Sequence, residues 1–346
     1  MNQTENRKDE HIRISLEKNV AAHHNYWDDV QLIHNALPEI NKDEIDLSTN
    51  LFEEKMDAPI IISGMTGGYP KAKKINENLA AAAEKFQIGM GVGSQRAGLE
   101  NPDLKRTYGV ITDFDIPLRF ANIGASQLVL WGRHKTLDNA QEMIEMIDAN
   151  VFVVCLNFLQ EVVQFEGESH AKGCLDAINE LTEDLDVPVV IKESGAGISY
   201  DVASKLSKTK IAGIDVGGSG GTSFAAIEHY RAGMINERLH ERGGKTFWDW
   251  GIPTPTSIIE TGDATDWKLP IIATGGIRNG LDAAKAIALG ANCAGMAHTL
   301  LGPANKNKES TIFEIDAVIK ELRAAMFLVG VDCVSKMTDV GAELWI

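Results

Sequence analysis

Two stretches decide the reading of this chain: Asp215-Val-Gly-Gly-Ser-Gly-Gly-Thr-Ser-Phe224 and Ala273-Thr-Gly-Gly-Ile-Arg-Asn-Gly280. Each follows a short apolar run, 211–216 and 269–273, and each precedes a segment with helical spacing. The run Gly217-Gly-Ser-Gly-Gly221 is too rich in glycine for a helix or a strand. Ordering it has a high entropic cost, which is offset where backbone must approach a ligand closely. A strand that ends in glycines exposes N–H groups that cradle phosphate. Two such cradles on consecutive strand–loop–helix units predict one phosphate held between neighbouring loops. (β/α)8 barrels bind phosphate in this way after strands seven and eight.

Working outward, eight apolar runs qualify as strands: 59–63, 88–92, 118–122, 151–157, 188–192, 211–216, 270–274 and 293–297. They are apolar almost throughout rather than alternating, as parallel strands covered on both faces should be. Helical patterns at 71–86, 137–149, 174–185, 200–207 and 281–289 separate most of them. The alternation predicts an α/β fold, and eight repeats favour a closed (β/α)8 TIM barrel with an N-terminal extension. The expected division is 1–58 as an extension contributing to the active-site mouth and 59–346 as the barrel. Residues 229–255 carry Gly243-Gly244 and read as a long rim loop or lid, because structureless connections of that length are usually functional. Residues 311–329 read as a helix packed outside the barrel.

Composition narrows the class. The 346 residues are 44% hydrophobic and 24% charged, ordinary for a globular protein, with a formal net charge of −16. Lys and Arg form no cluster, so nucleic acid and anionic membrane are disfavoured as partners. Phosphate binding in so acidic a chain must come from local N–H groups and a few placed cations. Cys155, Cys174, Cys293 and Cys333 form no CxxC and no metal spacing, which fits reduced thiols and a cytoplasmic location. The polar first ten residues do not resemble a signal peptide, and no apolar run is long enough to cross a membrane.

In a barrel the chemistry sits where strands end. Those ends read Ser63-Gly-Met-Thr-Gly-Gly68, Gly93-Ser-Gln-Arg96, Asn122-Ile-Gly124, Asn157-Phe-Leu-Gln-Glu161, Lys192-Glu193, Asp215 through Thr222, Gly275-Gly-Ile-Arg278 and Gly295-Met-Ala297. Each polar residue has two readings. Lys192 is either paired with a neighbouring carboxylate or a fixed cation beside an anionic cofactor. Asn122 caps a turn or lines the site. Gln160-Glu161 opens a solvated helix, or Glu161 supplies oxygen to a hard cation such as Mg2+. Arg278 meets a structural carboxylate or a phosphate, being shaped for either. Arg96 is loop chemistry or a phosphate clamp. Arg7-Lys8, followed by His11, is a disordered basic pair, or it folds over the barrel mouth and neutralises a substrate phosphate.

These segments together resemble type 2, FMN-dependent isopentenyl-diphosphate isomerases. The resemblance runs from Arg7-Lys-Asp-Glu-His-Ile12 to about Leu301. Gly275-Gly-Ile-Arg-Asn-Gly280 is common to many FMN barrels, whereas the Arg-Lys…His start with Gly93-Ser-Gln-Arg96 and Leu159-Gln-Glu161 is specific. The resemblance implies a (β/α)8 barrel in a homotetramer or homo-octamer. In it, reduced FMN interconverts isopentenyl and dimethylallyl diphosphate without net redox change, and NADPH reduces the flavin. It places FMN against Met65, Thr66, Gly67, Ser94, Asn122, Lys192, Thr222, Gly275, Gly276, Ile277, Arg278, Met296 and Ala297. Lys192 would stabilise negative charge on the reduced flavin. The diphosphate would meet Arg7, Lys8, Ser94, Gln95, Arg96 and Mg2+ on Glu161, with Gln160 facing the reacting carbons.

The chain departs from the pattern at three points. Cys155 stands where the family has His, Gln164-Phe-Glu-Gly167 replaces glutamine–proline–glutamate–glycine, and Gly217 replaces a common serine. A thiol does not act as a cationic donor at neutral pH as an imidazolium does. Two competing readings follow: an FMN oxidoreductase of the same barrel class, and a binding paralogue that lost catalysis with Cys155. Hydroxy-acid oxidases place a His, followed three residues later by Arg, near the end of strand seven, and neither precedes Gly275 here.

Overall fold

The computed structural model describes residues 3–344. Eight parallel strands close into a barrel. They are β1 (Ile60–Ile62), β2 (Gly89–Gly91), β3 (Arg119–Gly124), β4 (Val151–Cys155), β5 (Val189–Lys192), β6 (Gly213–Asp215), β7 (Ile271–Thr274) and β8 (Cys293–Met296). Closure runs through β8 against β1, with Ala294 opposite Ile60, and β6 against β7, with Ile214 opposite Ile271. All eight predicted strands form.

The strands are apolar on both pleat faces because both are covered. Ile60 and Ile62 face the outer helices, while Ile61 faces the barrel interior with Phe120, Val153, Val190 and Ile272. Around the barrel lie α2 (Ala72–Phe86), α3 (Arg133–Ile147), α4 (Phe158–Val163), α5 (Cys174–Asp184), α6 (Tyr200–Leu206), α7 (Phe224–Met234), α8 (Arg238–Thr246), α9 (Thr254–Ala264), α10 (Gly280–Ala288), α11 (His298–Lys306) and α12 (Lys308–Val329). Among the described residues no helix is long and apolar enough to cross a membrane.

The N-terminal segment serves both ends of the barrel. Helix α1 (Gln3–Glu17) lies over the mouth, where Lys8 contacts the loop after β2. Further on, the hairpin Thr49–Leu51 with Glu54–Met56 plugs the opposite end. Leu51, Phe52 and Met56 pack with Leu118, Phe120 and Val151, and the Phe52 and Phe120 rings meet edge-on at 6.5 Å.

Residues 229–255 correct the expected lid. They finish α7, form α8 and lead into α9. Gly243-Gly244 misled the reading. A Cβ on Gly244 would lie 2.5 Å from the Ala225 carbonyl and 2.7 Å from the His229 nitrogen, so the glycine lets α8 pack directly on α7.

Candidate active site

At the strand ends lies a cavity of about 500 Å3, a size typical of small-ligand sites. A cleft of similar volume, lined by His23, His229, Trp248 and Trp250, contains none of the predicted site residues.

The floor is an ion pair. Lys192, at the end of β5, places Nζ 2.9 Å from Asp215 Oδ2 at the end of β6, and the two side chains are only 12% and 8% exposed. Asp215 also accepts hydrogen bonds from the Thr274 hydroxyl at 3.0 Å and the Gly217 N–H at 3.2 Å. Lys192 is therefore paired with a carboxylate, and it also lines the cavity. Asp215 was missed as a functional partner, although a carboxylate ending an apolar strand beside Lys192 was the signal. Cys155 stands opposite Lys192 in the β4–β5 register. Burial pushes its thiol up to about 12, against the pull of Lys192, so it is neutral and uncharged at physiological pH. Glu193, also missed, turns away beneath this floor. Burial raises its carboxyl to about 7, opposed by hydrogen bonds from the N–H groups of Ser194, Ala196 and Gly197 and by Lys192.

The glycine segments form one cradle. A Cβ on Gly221 would lie 2.4 Å from Gly276 N, and one on Gly275 would lie 2.3 Å from Gly218 O, so the two loops touch backbone to backbone. From outside, Asn25 Nδ2 donates to Gly276 O at 2.8 Å and Trp27 Nε1 to Gly275 O at 2.9 Å. The Gly276 and Ile277 N–H groups pair with no partner among the described residues. Both residues line the cavity, together with Met65, Thr66, Asn122, Thr222 and Ala297. Asn122 Nδ2 donates to Val92 O at 3.2 Å, while its Oδ1 is buried without a partner. A buried acceptor and a glycine cradle with free donors are what a phosphate-bearing ring cofactor requires. FMN fits these residues.

The mouth carries the cations. Arg7, Lys8 and His11 on α1 line the cavity opposite Ser94 and Arg96. Lys8 Nζ donates to Ser94 O at 2.8 Å. Arg96 pairs with Glu100 at 2.7 Å and more tightly with Glu168, which also accepts from Gln127 Nε2 at 2.7 Å. Gln160 and Glu161 project from α4, where Glu161 accepts from Asn157 Nδ2 at 2.8 Å and from the Glu168 N–H at 2.7 Å. Among the described residues no three metal-ligating side chains cluster, and Glu161 lines the cavity as a single carboxylate.

Three predicted residues, Gln95, Gly67 and Met296, lie off the cavity, and a fourth, Arg278, lines it with its guanidinium already paired. Gln95 is fully buried and faces away from the cavity. Its Nε2 donates to Met143 O at 2.8 Å and its Oε1 accepts from Asn122 N at 3.0 Å, so it braces the wall. Gly67 does not line the cavity either. A Cβ there would meet the Tyr108 ring at 1.9 Å, and this is why it is glycine. Met296 is buried in the outer core beneath Ala297. Arg278 reaches the cavity rim, but its guanidinium is held by Asp28 at 2.6 Å and Asp282 at 2.8 Å, leaving the neighbouring N–H groups to take a phosphate.

Lys8 gives a pH prediction. Its ammonium is enclosed beneath a half-exposed stem, and burial followed by repulsion from Arg7 lowers it from its ordinary 10.5 to about 7, with Glu100 pulling the other way. A bound polyanion favours the charged form, so anion binding takes up a proton above about pH 7. Inorganic diphosphate affinity is expected to fall as pH rises through that value and to flatten in Lys8→Arg. Calorimetry in buffers of different ionisation enthalpy measures the uptake. In the ligand-free chain the same shift makes folding more favourable from about pH 7 toward 10.5, because there the unfolded chain holds the proton that the folded one has shed.

Fold and cradle together define a flavin-binding barrel. The sequence profile of the FMN-dependent dehydrogenases matches residues 133–342, and the chain belongs to that family. Solved structures of mandelate oxidase (TM-score 0.66, 15% identity, covering 96% of this chain and 95% of that one) and of a flavocytochrome b2 variant (TM-score 0.68, 16% identity, covering 94% and 81%) share the fold. Within that class the closer likeness is to enzymes named isopentenyl-diphosphate delta-isomerase. The one from Methanosarcina mazei is 45% identical over 95% of this chain and 89% of its own length, and the one from Thermoplasma volcanium is 45% identical over 94% and 92%. The chain belongs to the isopentenyl-diphosphate delta-isomerase family.

Proposed function

We propose that this chain interconverts isopentenyl diphosphate and dimethylallyl diphosphate using reduced FMN and Mg2+. The observation that carries the reading is a cationic mouth, Arg7, Lys8 and Arg96, set over a glycine cradle and a buried Lys192 in a chain of net charge −16. Moving the double bond adds a proton at one carbon and removes one from another, with no change in atoms or electrons. Reduced FMN, when bound, supplies an electron-rich ring with an exchangeable proton. Gly276, Ile277 and Thr222 would hold its phosphate end, and Thr66, Asn122 and Lys192 its ring. Lys192, oriented by Asp215, keeps a fixed positive charge in a site where such charges act most strongly.

Gln160 presents an uncharged amide to the substrate carbons and so introduces no competing base. Cys155 contributes bulk without charge. Phe224 and Ile227, lining the cavity from α7, exclude water from the reacting carbons. Arg7, Lys8, Ser94 and Arg96 would take the diphosphate, and Glu161 the cation bridging to it. NADPH as reductant and a homotetramer or homo-octamer complete the reading.

The test is anaerobic turnover of isopentenyl diphosphate by the flavin-loaded chain with dithionite and Mg2+. Dimethylallyl diphosphate is the expected product, and its absence overturns the proposal. Glu161→Gln should raise the Mg2+ concentration for half-maximal rate about tenfold or more. An unchanged Mg2+ titration would remove Glu161 from the metal site.

A further inference from the structure

Behind the mouth, outside the cavity, lies a buried charge cluster that the reaction does not use. Arg231 of α7 is 4% exposed and meets carboxylates from three separate segments. Its Nε lies 2.8 Å from Glu10 of α1, its Nη1 3.1 Å from Glu228 of α7, and the same Nη1 2.9 Å from Glu166 in the stretch after α4. The Phe165 ring stacks under the guanidinium at 4.5 Å. Glu228, itself 1% exposed, turns its other oxygen to His11 Nε2 at 2.7 Å. Two successive residues of α1, Glu10 and His11, are thereby fastened to one hub.

The spacing on α1 gives the hub its consequence. Glu10 is three residues after Arg7, and His11 three after Lys8, so on a helix the fastened residues lie one turn from the cations of the mouth. The far half of α1 and the segment just beyond it are held by apolar contacts, with Ile14 and Val20 packed on Ala226 and Ile227. The first turn of α1 carries polar contacts, among them Thr4 to Glu100 at 3.1 Å and Asn101 to Glu5 at 3.2 Å. The Arg231 hub is therefore the buried anchor between that apolar half and the cations Arg7 and Lys8. Without the guanidinium, three carboxylates would face one another with little solvent, and the exit open to them is to release α1.

We infer that Arg231 is a positioning residue that seats α1, and so sets from behind the affinity of the mouth for a diphosphate it never touches. This rests on the anion-binding reading of Arg7 and Lys8. The full-length, flavin-loaded chain is titrated with inorganic diphosphate and Mg2+ by calorimetry, without turnover, and its cleavage by trypsin after Arg13 is timed alongside. Glu10→Gln removes only the α1 arm and leaves the Arg231–Glu228–Glu166 cluster paired. It should weaken diphosphate binding about tenfold and speed cleavage by a similar factor, with flavin absorbance unchanged. Arg231→Met should do more.

In an Arg7→Ala, Lys8→Ala background, both changes should leave diphosphate affinity where it already stands, because the groups they position are gone. Losses that add in full there, or unchanged binding and cleavage in Glu10→Gln, overturn the inference. Should Arg231→Met fail to fold, Glu10→Gln and Glu10→Ala decide it. If the unmodified chain binds no diphosphate, the anion reading fails, while the cleavage rates still report whether the hub seats α1.

Discussion

Gly221→Ala is expected to empty the cradle. The added Cβ would stand 2.4 Å from Gly276 N and 2.9 Å from Gly276 Cα. Both are backbone atoms, so no side chain can rotate away. Nor can the opposing turn retreat, because Trp27 and Asn25 hold the carbonyls of Gly275 and Gly276 from behind, and Lys285 Nζ donates to Trp27 O at 2.6 Å. Gly276 is itself at φ +73°, where a replacement side chain would be strained. The loops must part, and the free N–H groups then no longer converge on one phosphate. FMN affinity should fall by about a hundredfold, roughly 3 kcal/mol, as read by flavin fluorescence titration, while far-ultraviolet dichroism stays that of the barrel. A Gly221→Ala protein that purifies with stoichiometric flavin would sink the cradle assignment. Gly243→Ala is the control. A Cβ there meets nothing within 4 Å and lies inside α8, so the variant should bind flavin normally and be more stable by about 0.5–1 kcal/mol in a denaturant melt.

That contrast between two glycines marks what a sequence can convey here. Barrel strands are legible because burial on both faces leaves them apolar almost throughout, as at Ile60, Ile61 and Ile62, and helical patterns separate most of them. Gly217 through Gly221 were legible as a close-approach loop because four glycines in five residues suit neither a helix nor a strand, and a Cβ on any of the four would crowd a neighbouring segment. Gly243-Gly244 carry the same local signal and mean something else, since α7 passes directly beneath Gly244 while Gly243 faces open space. Local composition cannot separate a glycine that admits a ligand from one that admits a helix. The same limit hid the pairings. Arg96 and Glu168 lie 72 residues apart, and Arg231 and Glu10 lie 221 apart, so each partner looks in sequence like an ordinary surface charge. Gln95 lies off the cavity for a different reason: Ser94, Gln95 and Arg96 lead into the short helix Arg96–Glu100, and only the fold decides which of three successive side chains faces the mouth. The hairpin at 49–56 was read as part of an extension contributing to the active-site mouth, whereas Leu51-Phe52 and Met56 close the opposite end of the barrel.

Lys192→Met is expected to have two effects that a second substitution separates. The first is on the rate. A buried, preorganised cation in a water-excluded site is worth about a hundredfold to a thousandfold in kcat when it faces developing or resident negative charge. The second is on the fold. Asp215 is 8% exposed and would lose its only cationic partner among the described residues, keeping just Thr274 and the Gly217 N–H. Leaving a buried carboxylate unpaired costs about 3–5 kcal/mol, which a thermal melt would show as a large drop in Tm. Adding Asp215→Asn removes that charge while keeping an oxygen to accept from Thr274, so the double variant should recover most of the stability. If Lys192 acts on the bound flavin and substrate, the double variant will be folded, flavin-loaded and still slow. If Lys192 serves only to balance Asp215, as the alternative reading of the sequence holds, rate and stability will return together. Anaerobic kcat and Tm measured on the same four proteins, unmodified, Lys192→Met, Asp215→Asn and the pair, distinguish the two, because a cation needed only for the fold becomes dispensable once the charge it balances is gone.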